Sequence, residues 1–215
     1  MTFLKQAGEL TLRALKYEIN MWVSLYRWVF RRPVSREPGA RAFGYARSVT
    51  PVLIVFIVVS AIEIPIVDLL LPWEGARVAL LAAGFYGLLW MIGMLASLRV
   101  SPHVVAASGL RIRANGGLDI TIPWDHIRSI QVSNRMMEKG RSLIYEGSVL
   151  HIAVGKQTNV DIAFRYPTVL ELPRGDTPEL SELRVAVDDP ADLVAAAREF
   201  LPARPTAQAP SPARY

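Results

Sequence analysis

Ionisable side chains are scarce in the apolar stretches of this chain, so the few found there are the first candidates for chemistry. Glu63 lies inside the run 49–71 (VTPVLIVFIVVSAIEIPIVDLLL). A carboxyl group in such a helix is costly and persists where something holds it or uses it. Folding this run back against the next, 78–100, brings Glu63 roughly level with Tyr86, and a protonated carboxyl bonded to that phenol would join the two helices. Pro65 frees the carbonyl of Ala61 as a further polar partner. Proton or ligand handling and contact with a partner helix are the alternative uses. Asp68 lies one turn nearer the end of the run, within reach of Arg77 or water.

Elsewhere the chemistry is sparse. His103, His126 and His151 fall on different predicted elements and read as polar surface or edge residues. The absence of cysteine excludes disulfides, Cys-ligated zinc and thiol catalysis. No phosphate loop, paired-glycine fingerprint, serine nucleophile elbow or zinc-ligand spacing occurs. Gly116-Gly117 opens no helix and reads as a hairpin turn. The expectation is a non-enzyme without catalytic, cofactor or metal residues. What remains is binding. Arg111 and Arg113 share the outer face of one predicted strand, and Arg135, Lys139 and Arg141 cluster in the longest loop, diluted by Glu138 and Glu146. These five are the candidates for holding a protein partner or anionic lipid headgroups. Nucleic acid is not expected, because the net charge is only +5 and no aromatics interleave with the basic residues.

The elements that must position these groups begin with a membrane anchor. Of 215 residues 52% are hydrophobic and 20% charged, greasier than soluble domains at roughly 45–50% and about 25%. The excess sits in the two runs, each near the roughly 20 residues that cross about 30 Å of hydrocarbon. The spacing predicts helices over about 49–71 and 78–99, joined by a tight turn at 72–77 with Trp73 at a headgroup boundary. Arginines and lysines are dense before the first run and recur after the second, whereas the turn carries Arg77 alone, so both termini are expected in the cytoplasm. The first run starts some fifty residues in and lacks a small-residue cleavage site, so no signal peptide is expected. Ala79, Ala83 and Gly87 recur every fourth residue and suit close helix contact, with the first span or with another chain.

Residues 2–31 have a different pattern. A polar stripe (Lys5, Glu9, Arg13, Lys16, Asn20, Ser24, Arg27, Arg31) and an apolar stripe (Leu4, Leu12, Leu15, Ile19, Trp22, Tyr26, Val29) predict an amphipathic helix. It suits the cytoplasmic membrane boundary, with Trp22, Trp28, Arg31 and Arg32, like Trp73, as interfacial anchors. The alternative is packing against protein. Arg32-Pro33 ends the helix, and the stretch to residue 48 reads as a basic linker.

After Ser101-Pro102 the period becomes two. Leu110/Ile112, Ile120/Ile122, Ile130/Val132, Leu150/Ile152/Val154, Val160/Ile162/Phe164 and Leu183/Val185/Val187 alternate with polar residues, as short half-buried strands do. Evenly spaced antiparallel strands of this kind predict a small barrel or orthogonal sandwich. Asp189 as cap and Pro190 at the first position start a last amphipathic helix, with Leu193, Val194, Ala197, Phe200 and Leu201 on one face. Residues 202–215, rich in proline and alanine, are expected to be disordered.

Gly109-Leu110-Arg111-Ile112, followed by Ile120-Thr121-Ile122-Pro123-Trp124-Asp125-His126-Ile127, resembles the bacterial pleckstrin-homology-like domain over residues 101–201, a family that often follows a two-helix membrane hairpin. The resemblance implies a seven-stranded barrel capped by a C-terminal helix. The preference for arginine over lysine and the Ala/Pro richness resemble actinobacterial composition. In the corner itself, Pro123 ends a strand, Trp124 plugs the barrel end and Asp125 caps the short turn. The expected fold class is thus a membrane α-helical hairpin plus an α+β, mainly β domain. The expected role is a plasma-membrane adaptor that binds a protein partner or anionic lipid. The alternative is an accessory subunit of a transport or envelope-synthesis complex acting through Glu63.

Overall fold

A computed structural model describes residues 15, 18–30, 37–114, 117–138, 142–172 and 175–201. The chain is helical over 18–29 (α1), and two long helices follow, α2 (Thr50–Leu70) and α3 (Glu74–Val100). At 1.5 Å per residue they span about 31 and 40 Å, and both are long and apolar enough to cross a membrane. Only 6% and 11% of their most apolar windows are buried within the chain, the reverse of a soluble core helix. Pro65 sits inside α2 without ending it. The turn is shorter than the sequence predicts: α3 restarts at Glu74, because Trp73 takes the N-cap position and Arg77 N–H already bonds its carbonyl at 2.9 Å.

The two helices touch at a small residue, though not one of the expected stripe. A Cβ on Gly84 would lie 3.2 Å from Ile64, whereas one on Gly87 would meet nothing, and Ala79 and Ala83 are exposed. The small-residue stripe therefore does not face α2. Helix α1 crosses α3 at another glycine: Met21 is buried, and a Cβ on Gly93 would lie 2.9 Å from its Cγ. The last two turns of α3 are enclosed, with Gly93, Leu95, Ala96 and Leu98 buried. Leu15, Ile19, Trp22, Tyr26 and Val29, the apolar stripe of α1, remain exposed.

Past the hairpin, β2 (His103–Ala106), β3 (Gly109–Ala114) and β4 (Leu118–Ile122) form an antiparallel meander. A fourth strand joins it from the other side of the helices. β1 (Arg41–Phe43) pairs with β2 in the register Arg41↔Val105, Ala42↔Val104, Phe43↔His103. The stretch expected to be a linker thus contributes a strand, and the whole helical hairpin is the connection between two neighbouring antiparallel strands.

The second sheet has the order β5-β8-β11-β7-β6. Its strands are β5 (Ile127–Met136), β6 (Leu143–Glu146), β7 (Val149–Ile152), β8 (Gln157–Thr168) and β11 (Leu180–Val185). All neighbours are antiparallel except β7 and β11. A small hairpin, β9 (Glu171–Leu172) and β10 (Gly175–Asp176), lies between β8 and β11. The two main sheets together hold nine strands where the resemblance implies seven. One core takes Leu110, Ile112, Ile120 and Ile122 from the first sheet and Leu150, Ile152, Val160, Ile162, Leu183 and Val185 from the second. Helix α4 (Pro190–Arg198) closes it with Leu193, Val194 and Ala197. Val132 keeps the register of Ile130, opposite Val160, yet is exposed on the edge strand β5 just before the β5–β8 register shifts.

The Pro-Trp corner is a 3₁₀ turn at Trp124–His126. Trp124 donates its indole N–H to the Ala106 carbonyl at 2.9 Å and stacks on Phe200 at 5.2 Å, so it ties the first sheet to the end of α4. Asp125 makes no cap here, and Asp189 makes none to α4. Gly109 has a physical reason for its place in the motif: at φ +147° a Cβ would sit 2.5 Å from the Ile122 carbonyl oxygen.

Gly93 gives a graded test of the α1–α3 contact. Gly93→Ala should cost about 1 kcal/mol or less, because the buried Met21 must move at its Cγ while alanine's preference for helix offsets part of that strain. Gly93→Leu should cost about 1–3 kcal/mol by overpacking, read as a lower unfolding temperature in detergent.

Candidate functional site

Two constellations concentrate polar chemistry, one at the seam between hairpin and domain and one on the outer face of the five-stranded sheet. At the seam, Arg47 donates to both carboxylate oxygens of Asp189 at 3.0 and 2.9 Å, and its backbone N–H donates to Asp188 at 2.7 Å. The Asp188 N–H in turn donates to the Gly44 carbonyl at 2.7 Å. Arg41 pairs with Glu199 at 2.9 Å. Asp189, expected to cap α4, and its neighbour Asp188 instead hold the segment leading into α2. Beneath them Tyr45, Ala46, Leu53, Leu95 and Leu98 form a buried cluster with Val154 packed against it.

His103, expected at a surface or edge, is buried at the first position of β2. Its Nδ1 accepts from the Arg113 N–H at 3.2 Å, which leaves Nε2–H to donate to the Ala186 carbonyl at 3.1 Å. Burial disfavours the imidazolium and lowers its pKa from 6.5 to about 4. The neutral ring thus stitches β2 to the segment just after β11, beside the ring of Tyr45 at 5.0 Å.

On the outer face of the second sheet the register places Asp161, Arg184 and His151 in one row. Asp161 is buried and accepts from Arg135 at 3.1 Å, with Arg184 at 3.6 Å. Arg184 also holds Glu182 at 2.6 Å. His151, again buried rather than exposed, lies 3.4 Å from Glu146 and makes no hydrogen bond through either ring nitrogen. Burial lowers its pKa as well. His126 alone is exposed as expected. The alternation of β7, β8 and β11 made this outward face readable; the cross-strand register that joins its charges was not.

The candidate binding arginines turn out to be engaged internally. Arg111 makes a bidentate pair with Asp119 at 2.5 and 2.6 Å, with Arg113 at 3.4 Å from the same carboxylate. These arginines hold the Asp119 pKa down against the opposing effect of burial. Arg135 is held by Asp161. Lys139 and Arg141 lie outside the described residues, as do Arg31 and Arg32. The three described candidates, Arg111, Arg113 and Arg135, are each paired with a carboxylate.

Among the apolar-helix groups, the expected Glu63–Tyr86 pair is absent. Tyr86 donates its hydroxyl to Glu18 of α1 instead. Glu63 is exposed and has no hydrogen-bond or ion-pair partner among the described residues. The reason is rotation: α2 turns Leu53, Ile57, Ile64 and Val67 inward, which leaves Glu63 outside that face. Asp68 meets Arg77 at 3.6 Å as anticipated, and it borders a groove of about 390 Å³ lined also by Ala61, Ile64, Pro65, Leu81, Phe85 and Leu88. Trp22, Trp28 and Trp73 are exposed. Among the described residues no group of three His, Asp or Glu side chains is placed to hold a metal ion.

No protein-family model, curated protein or solved structure matches the chain.

Two measurements test these environments. Because the folded pKa of His103 is lowered, its contribution is complete above the unfolded value of 6.5 and is lost as pH falls toward about 4. Stability should drop by about 3 kcal/mol more over that interval than in His103→Gln, seen in thermal unfolding against pH. Asp161→Ala should cost about 3 kcal/mol, since it strands two arginines around a buried site. Arg111→Ala, breaking an exposed pair, should cost about 1 kcal/mol or less in the same assay.

Proposed function

We propose that this chain is an integral, two-span protein of a bacterial plasma membrane with both termini in the cytoplasm. In this reading it is a non-enzymatic adaptor whose pleckstrin-homology-like domain is held against the inner face and presented to a protein partner or to anionic lipid. The observation that carries the proposal is the β1–β2 pair: a hairpin of two exposed apolar helices leaves the domain from one strand and returns to its neighbour. That geometry keeps the domain at one end of the hairpin, and the distribution of basic residues favours the cytoplasmic end. The buried His and Asp side chains are engaged in internal contacts or closed off from solvent, which supports binding rather than turnover. Val132, Met136, Tyr145, Tyr166 and Val169 are large apolar side chains exposed on the domain and supply material for a protein contact.

A second reading draws on Glu63. A carboxyl exposed on the outside of a membrane helix needs a proton, water or a donor from another chain. That favours an accessory role in a larger membrane complex, of the transport or envelope-synthesis kind.

One set of preparations tests both. The chain should stay in the membrane pellet through alkaline carbonate, and protease added to intact spheroplasts should leave the domain whole and cut it only after lysis. A protein co-purifying in mild detergent should be lost with Tyr145→Asp plus Tyr166→Asp if the domain recruits it, and with Glu63→Gln if the helices do. Extraction by carbonate, or cleavage of the domain from outside, would contradict the placement.

A further inference from the structure

Lys156 is the one non-glycine residue with a positive φ, +64°, among the described residues. It follows Gly155, φ +59°, in a two-residue turn closed by reciprocal Val154–Gln157 backbone bonds of 3.2 and 3.1 Å. Two central residues with positive φ define a type I′ turn, where glycine or asparagine is favoured. An L side chain there crowds its own backbone, at a cost of roughly tenfold in the folding equilibrium. A lysine held in that conformation points to a use for its charge.

The position of the turn says what that use is. A Cβ on Gly155 would lie 3.1 Å from Ser48 Oγ, directly before α2, and Val154 packs on the cluster of Leu53, Leu95 and Leu98. The turn is thus pressed against the base of the hairpin, at the level where the apolar spans begin. Arg41 and Arg47 at the same seam are matched by Glu199 and Asp189. Lys156 is exposed and its side chain has no acidic partner among the described residues. Arg99, exposed in the last turn of α3, also has none.

We propose that Lys156 binds the phosphate of an anionic lipid headgroup in the inner leaflet, with Arg99 as a second cation at the base of the hairpin. The inference rests on the reading that α2 and α3 span the membrane. A lysine ammonium offers three donors to phosphate oxygens, and each basic group near an anionic surface contributes about fivefold in affinity. The strained turn holds the lysine backbone at the boundary by protein packing, so the contact does not depend on the orientation of a free loop.

The full chain in nanodiscs provides the test. In discs of neutral phosphatidylcholine, Lys156→Gly should unfold at a higher temperature than the wild type, because glycine relieves the turn. Adding phosphatidylglycerol should raise the unfolding temperature of the wild type. That rise should be mostly lost in Lys156→Gly and Lys156→Gln, with affinity for short-chain phosphatidylglycerol about fivefold weaker in each and in Arg99→Gln. A wild type indifferent to phosphatidylglycerol, or a Lys156→Gly variant with the full response, overturns the proposal. An equal response to inorganic phosphate in neutral discs overturns it in favour of a soluble anion. A chain that elutes apart from the discs overturns the membrane reading itself.

Discussion

The antiparallel ladder between β1 and β2 sets the geometry on which the rest depends. Both strands are short, and backbone groups within a sheet need partners as strictly as those in a helix do. Residues 41–43 find theirs on residues 103–105, across the full length of the helical hairpin. Once they pair, the start of α2 and the end of α3 stand side by side at one edge of the domain. The apolar cluster of Tyr45, Leu53, Leu95 and Leu98 then has a place to form. The Arg47–Asp189 and Arg41–Glu199 pairs add modest energy because they are exposed, yet they fix which way the segment runs. Hairpin and domain are thereby joined at two points, and the domain cannot swing freely on a single tether.

Charge follows the same economy. Among the described residues, seven arginines at the seam, in the helical turn and on the sheet faces have carboxylates within 4 Å: Arg41, Arg47, Arg77, Arg111, Arg113, Arg135 and Arg184. The net charge of +5 already subtracts the carboxylates of these pairs, so it resides in cations outside them. The exceptions are therefore informative. Among the described residues, the unmatched groups that lie on or beside the apolar hairpin include Glu63 on the outside of α2 and Lys156 and Arg99 at its base.

The sequence carried the helical elements well, because a run of twenty apolar residues and an amphipathic stripe are local signals. It also carried the period-two strands and α4, whose inward residues make the core almost as expected. What it did not carry was non-local. A three-residue strand separated from its partner by some sixty residues has no periodicity to detect, so 41–43 read as linker. His103 and His151 looked like surface groups because strand alternation says which face a residue takes, not whether that face is covered. Glu63 was assigned to Tyr86 from depth alone; the rotation of α2 about its axis and the arrival of Glu18 from α1 decide otherwise. The same limit applied to Arg111 and Arg135, whose partners are set by cross-strand register.

The pairing of β1 with β2 across the hairpin can be measured directly, since the chain has no cysteine of its own. With Ala42→Cys and Val104→Cys placed at opposed positions of the ladder, mild oxidation in native membranes should form an intramolecular disulfide. Cleavage at a protease site inserted at Gly75 would then leave the two halves joined until reductant is added. Free thiols after oxidation, with the halves separating on cleavage, would contradict the account.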